Sequence, residues 1–141
     1  MNRRYMLKLS SLAAAAASSP ALGAAQAAAQ KGAPVARWDH VEIDVPGPAS
    51  GNPFIDVSLT ATFRKHDRAV TVEGFYDGGG SYKIRFMPDD PGTWTWTTKS
   101  NRPALDGQSG SFECVASGEG NRGPVSVRDD YHFGYADGTP Y

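Results

Sequence analysis

The sequence holds one cysteine, Cys114, among 141 residues. A single thiol closes no internal disulfide and cannot by itself build a cysteine zinc site. Net charge is small too: 14 Lys and Arg stand against 15 Asp and Glu. The cations are scattered, so no basic stripe is offered to nucleic acid or to an anionic membrane surface. No apolar run reaches the roughly 18–20 residues of a membrane-spanning helix. Histidine is rare, and His40, His66 and His132 never fall at the His-x-x-x-His spacing of a helical zinc motif. There is no Gly-x-Ser-x-Gly elbow; around Gln108-Ser109-Gly110-Ser111, Gly107 leads but Ser111 stands in place of the closing glycine, and no helix follows. Gly78-Gly79-Gly80 is no phosphate loop, because neither a Lys-Ser/Thr pair nor a helix follows it. These absences leave no expected metal and no expected cofactor. The nearest alternative is a calcium ion held by Asp77 or by the Asp89-Asp90 turn, since hard cations take loop carboxylates.

What is present divides unequally. The first 30 residues hold 11 of the 19 alanines, the cations Arg3, Arg4 and Lys8, and no acid. A basic start, a soft apolar stretch over residues 9–17, then Pro20 and small residues is the layout of a bacterial export signal. The Arg3-Arg4 pair ahead of an alanine-rich, weakly apolar stretch points to the twin-arginine route. A cleavable signal peptide is therefore expected over residues 1–29, with cleavage after Ala27-Ala28-Ala29 or after Ala25-Gln26-Ala27. The expected location is periplasmic or extracellular. The plainer reading is a low-complexity alanine tail or a short amphipathic helix. Beyond residue 30 the chain carries 11 Lys and Arg against 15 Asp and Glu, a net charge of −4. The same stretch keeps 15 Gly and 9 Pro, too many breakers for a helical bundle.

Residues 30–36 read as a linker, followed by a β-sandwich domain over residues 37–136. Val41, Ile43 and Val45 alternate with Glu42 and Asp44 in a first strand over 38–45. A proline- and glycine-rich loop follows. Ile55, Val57, Leu59, Ala61 and Phe63 then alternate with polar residues, which predicts a ten-residue half-buried strand over 55–64. A third strand starts at Val70 and runs to about Tyr76. Asp77-Gly78-Gly79-Gly80-Ser81 turns it into a fourth strand carrying Tyr82, Ile84 and Phe86, a hairpin. Pro88-Asp89-Asp90-Pro91-Gly92 is another turn. Residues 93–98 form a fifth strand with Trp94 and Trp96 on one face. Residues 112–115 and 125–127 give two more, and 133–135 is extended again. No stretch carries a helical period. About seven short strands at this spacing predict an all-β, immunoglobulin-like antiparallel sandwich; a small barrel is the alternative. Residues 135–141 read as a strand, an Asp-Gly turn and the start of a return strand. Residues 137–141 are thus expected to open a truncated connection to a further domain.

Glycoside hydrolysis needs two carboxyl groups roughly 5–10 Å apart across a cleft. Asp89-Asp90 and Asp129-Asp130 are adjacent pairs in turns, where Asp ordinarily bonds its own backbone. No catalytic residue is assigned. Aromatic rings are the feature suited to sugar, because pyranose rings stack on flat aromatic faces. Trp94 and Trp96 lie about 7 Å apart along one strand and form either a platform or core. Tyr76, Asp77 and Tyr82 bracket the glycine tip. With Trp96 they are the candidate contacts, either to a docked domain or to carbohydrate.

Several segments, in order, resemble the family DUF5060. They are Trp38 with Glu42, Asn52-Pro53-Phe54 with Asp56, Gly74-Phe75-Tyr76-Asp77-Gly78, and Tyr82 with Arg85-Phe86-Met87-Pro88. Gly92-Thr93-Trp94, Ser100-Asn101, Gly110 with Phe112, Gly123-Pro124-Val125, and Phe133 with Tyr135-Ala136-Asp137-Gly138-Thr139-Pro140-Tyr141 continue the series. The resemblance implies a β-sandwich placed ahead of a (β/α) barrel glycoside hydrolase domain of the DUF4038 type, related to family 140. The barrel would carry the catalytic carboxylates, and the Asp-Gly-Thr-Pro-Tyr segment would lead into it. One departure stands out: Arg122 occupies a position where similar sequences often have His. The expected role is a non-catalytic N-terminal accessory module whose partner is the downstream catalytic barrel of the same polypeptide. One alternative is an autonomous carbohydrate-binding module with polysaccharide as partner. Another is an exported interaction or adhesion domain with no enzyme attached.

Overall fold

The computed structural model describes residues 30–141. The expected export signal, with Arg3 and Arg4, lies outside the described residues. In chain order come β1 (Gln30–Lys31), β2 (Val35–Ala36), β3 (Val41–Pro46), the single turn α1 (Pro53–Asp56), β4 (Leu59–Lys65) and β5 (Arg68–Glu73). They are followed by β6 (Phe75–Gly78), β7 (Ser81–Phe86), β8 (Gly92–Ser100), β9 (Ser109–Val115), β10 (Val125–Arg128) and β11 (His132–Tyr135).

Period-two alternation gives each long strand one apolar face, and two sheets bring those faces together. The larger sheet runs β9-β8-β4-β5 through antiparallel neighbours, with β1 and β2 parallel to the outer edge of β9. The smaller runs β3-β7-β6. Leu59, Ala61 and Phe63 of β4, Trp94 and Trp96 of β8, and Phe112 and Cys114 of β9 face Ile43, Val45, Tyr82, Ile84 and Phe86 across the core. Leu105, from the β8–β9 connection, is buried with them. Aromatic contacts join the layers: Phe63 stacks on Phe86 at 4.1 Å between centroids, and Trp94 meets Phe86 edge-on at 5.1 Å. The buried Cys114 thiol has its pKa raised by desolvation, which holds it in the unreactive protonated form.

The all-β sandwich expected from the alternation is present. Its strand order differs from the immunoglobulin constant-type sandwich by one move. There the second strand lies between the first and fifth. Here the corresponding β4 sits in the opposite sheet, between β5 and β8.

Three expectations are corrected. The ten-residue strand over 55–64 is shorter, beginning at Leu59. Pro53 presets a helical φ at the start of α1, and the Asp56 carboxylate accepts from the Asn52 N–H at 3.0 Å, closing the turn. The strand over 70–76 is two strands in different sheets. At Gly74 the chain leaves β4 and crosses to β7, so close to both that a Cβ there would lie 2.7 Å from Leu59 Cδ2 and 3.0 Å from Ile84 Cγ1. Residues 30–36, read as a linker, instead add β1 and β2 to the edge of β9, where the Gly32 N–H donates to the Ser111 carbonyl at 2.7 Å.

Candidate functional site

The sandwich has two ends. Strand β7, six residues long, starts at the glycine tip and runs to Phe86, about 17 Å away. The tip end gathers the β6–β7 turn, the loop leading into α1, and the β8–β9 connection. The far end gathers the turns at 65–68 and 88–91, the segment around Trp38, and the β10–β11 hairpin.

At the tip, a run of three glycines costs much conformational entropy to order, and the chain itself supplies the order. Gly47 N–H donates to the Gly80 carbonyl at 2.8 Å, and Gly80 N–H donates to the Tyr76 hydroxyl at 3.2 Å. The Ser81 hydroxyl donates to Asp44 at 2.8 Å. Tyr82 is only 1% exposed, packs opposite Val45, and donates its hydroxyl to the Pro48 carbonyl at 2.8 Å. Burial pushes its phenol pKa up. Tyr82 is therefore a core residue and not the surface contact expected of it. The physical reason is the face it occupies: Tyr82, Ile84 and Phe86 share the inward side of β7. Tyr76 is half-buried beside it, with ring centroids 5.0 Å apart. Asp77 is exposed, its carboxylate 3.5 Å from Lys83 Nζ.

Trp96 is 5% exposed and pairs with Phe63 in the core. It also borders a cleft of about 450 Å³ between β3 and the β1–β2 edge, which Val41 and Phe112 line too. With Trp94 wholly buried, the two indoles form core and no open stacking platform. The exposed rings and chains at the tip end are ones the alternation hid. Phe54 is 75% exposed and Ile55 80%, and the Phe54 ring meets Tyr76 edge-on at 5.3 Å. Asn52-Pro53 was the signal available for them, since that dipeptide favours a turn over a continuing strand.

Several carboxylates are tied to cations. Asp89 accepts both guanidinium nitrogens of Arg68 at 2.7 Å, and Asp90 accepts Lys65 Nζ at 2.6 Å. Asp129 and Asp130 occupy a left-handed turn, with φ of 47° and 66°. On the outer face of the smaller sheet, Glu42 accepts Lys83 Nζ at 2.5 Å and Arg85 Nε at 2.7 Å. The Lys83 and Arg85 hydrogen bonds hold the Glu42 pKa down to about 2. Asp90 and Asp137 are also lowered, by hydrogen bonds from Lys65 and from Thr139. A general acid for glycoside hydrolysis needs the reverse, a raised pKa.

The Glu42 network has a pH consequence. A depressed native pKa contributes stability that is complete above the unfolded value near 4.5 and is lost as pH falls toward about 2. Glu42→Gln is expected to lower the urea midpoint at pH 7, and the gap should shrink to a small fraction of its size by pH 2. An undiminished gap at pH 2 would show that the charge of Glu42 is not what stabilises the strand pair.

Residues 34–101 match the family described as Domain of unknown function (DUF5060). That span runs from β2 through the end of β8 and holds every strand of the smaller sheet. The chain is also similar to a crystal structure from Bacteroides vulgatus ATCC 8482 described as a "putative glycoside hydrolase". The identity is 43% and the TM-score 0.74, over 78% of this chain and 21% of that one. This chain thus spans about a fifth of the length of that protein. No curated protein matches it.

Proposed function

We propose that this chain is a non-catalytic N-terminal accessory module of an exported glycoside hydrolase. The catalytic (β/α) barrel, of the DUF4038 type related to family 140, would belong to the same polypeptide. One observation carries the reading: at 43% identity, 78% of this chain corresponds to only 21% of a longer protein described as a "putative glycoside hydrolase". Glu42, Asp90 and Asp137 support it, because hydrogen bonds from cations or from Thr139 hold each carboxylate in its charged form. The module would buttress the barrel. Export would follow the twin-arginine route signalled by Arg3-Arg4.

A second reading, carbohydrate binding, is favoured by the exposed Phe54 and Ile55 beside Tyr76. One experiment bears on both. The full-length polypeptide, expressed in its host, is expected outside the cytoplasm and active on a polysaccharide panel. Purified residues 30–141 are expected to release no reducing ends and to run unretarded in polysaccharide gels. Hydrolysis by residues 30–141 alone would overturn the accessory role. Retardation abolished by Phe54→Ala would replace it with the binding-module reading.

A further inference from the structure

The β10–β11 hairpin has an apolar face with no second layer over it among the described residues. Val125 pairs with Tyr135 and Val127 with Phe133, so these four side chains share one face. The chain then turns at Asp137-Gly138 and comes back along β11. Tyr141 N–H donates to the Phe133 carbonyl at 3.1 Å, and its ring lies 6.3 Å from Phe133 and 5.5 Å from Tyr135. The opposite face is closed by Arg128, which lies over Gly134 and donates to the Tyr135 carbonyl at 3.0 Å. The result is a one-sided strip of five apolar or aromatic residues. Val125, Val127, Phe133 and Tyr141 are all exposed, Phe133 by 56%.

This strip is held in a fixed place. Gly123 packs on the Trp38 indole, and Asp137 N–H donates to the Arg122 carbonyl at 3.1 Å. The Arg122 guanidinium stands 5.7 Å from the Tyr135 ring centroid. A two-stranded ribbon is at best marginal in water, and a contiguous exposed apolar patch marks an interaction surface. The strip belongs to the far end of the sandwich, opposite the glycine tip.

We propose that the face formed by Val125, Val127, Phe133, Tyr135 and Tyr141 is the docking surface for the catalytic domain carried by the same polypeptide. The inference rests on the accessory-module reading and names its contact. Two observations select this occupant. The similar crystal structure has 79% of its chain outside the matched part, room for a domain several times larger than the sandwich. And Phe133, Tyr135 and Tyr141 are the strip itself, so a polypeptide continuing past Tyr141 begins on this face. Inter-domain contacts of about 600–1,500 Å² are of a size to cover such a strip. Docking here engages the Trp38 end and leaves Phe54, Tyr76 and Asp77 free at the other.

Hydrogen exchange, followed by mass spectrometry, tests the surface. Amides of residues 125–135 are expected to exchange at least tenfold more slowly in the full-length polypeptide than in residues 30–141. Val127→Asp in the full-length polypeptide should return them to the faster rate, while Val127→Ile should not. Protection of β4 and β8 reports whether each variant is folded, and the wild-type comparison stands without any variant. Equal exchange in the two wild-type proteins overturns the proposal. So does protection in residues 30–141 accompanied by a dimeric sedimentation coefficient, which would make a second copy the occupant. Glycan hydrolysis separates the two failures. An active full-length protein with an unprotected hairpin sinks the docking surface alone; a protected hairpin in an inactive protein sinks the glycoside hydrolase reading alone. A natural polypeptide that stops at Tyr141 overturns both.

Discussion

Trp94→Ala is expected to cost about 3–5 kcal/mol, the range for removing a buried aromatic side chain. Trp94 is wholly buried, faces Phe112 in the β8–β9 register, and meets Phe86 of the other sheet edge-on. Its Nε1–H donates to the Asp90 carbonyl at 2.9 Å, so the indole also anchors the turn that Lys65 and Arg68 grip. The substitution leaves a cavity between the sheets and an unpartnered carbonyl. Against a typical domain stability of about 5–15 kcal/mol, this is a large fraction. For a domain of this size the melting temperature should fall by on the order of 10–20 °C. Trp94→Phe keeps ring packing and forfeits the N–H, so its loss should be well under half as large. Thermal unfolding followed by circular dichroism measures both. A fall under about 3 °C for the alanine variant would mean that the indole does not bridge the sheets.

Gly123→Val is expected to free the β10–β11 hairpin while the sandwich core stays folded. Gly123 has φ +80°, in the left-handed region that β-branched residues avoid, and a Cβ there would lie 2.6 Å from Trp38 Cδ2 and 2.9 Å from Ala136 Cβ. Trp38 has little room to retreat. Its own φ is 66°, its N–H donates to the Pro88 carbonyl at 2.8 Å, and the Arg37 guanidinium covers its ring at 4.1 Å. Backbone strain of about 1–3 kcal/mol adds to the steric conflict. The expected signature is local: fast exchange across residues 122–141, a red-shifted Trp38 emission, and unchanged protection in β4, β8 and β9. Gly79 is the control. It has φ +58° with nothing within 4 Å of its would-be Cβ, so Gly79→Asn should be nearly neutral. If Gly123→Val left exchange at residues 122–141 unchanged, the Trp38 contact would not be what seats the hairpin.

Alternation by itself determined the inner and outer faces of the strands. Leu59, Ala61 and Phe63, Ile84 and Phe86, and Ile43 and Val45 all point to the core as period two requires, because the side-chain face is a local property of an extended chain. The same rule places Tyr82 and Trp96 on inward faces, where both are buried. The turns at Asp77–Ser81 and Pro88–Gly92 were legible from Gly, Pro and Asp for the same local reason. Which strand lies beside which depends instead on packing between distant parts of the chain. Gly74 reads as one more residue of a strand until Leu59 and Ile84 close on it and the chain changes sheets. Ile55 continues a perfect alternation, yet Asn101 and Arg102, more than forty residues on, hold the Asp56 carbonyl and help turn Ile55 into solvent. Residues 30–36 carry no strand signal, and they pair because the edge of β9 offers them backbone partners. The hairpin's uncovered face is of this kind as well. Val125, Val127, Phe133 and Tyr135 alternate like any buried strand, and only the packing of the whole chain shows that no second layer reaches them among the described residues. Faces follow from bond geometry within a few residues, whereas neighbours follow from contacts between residues far apart in the chain.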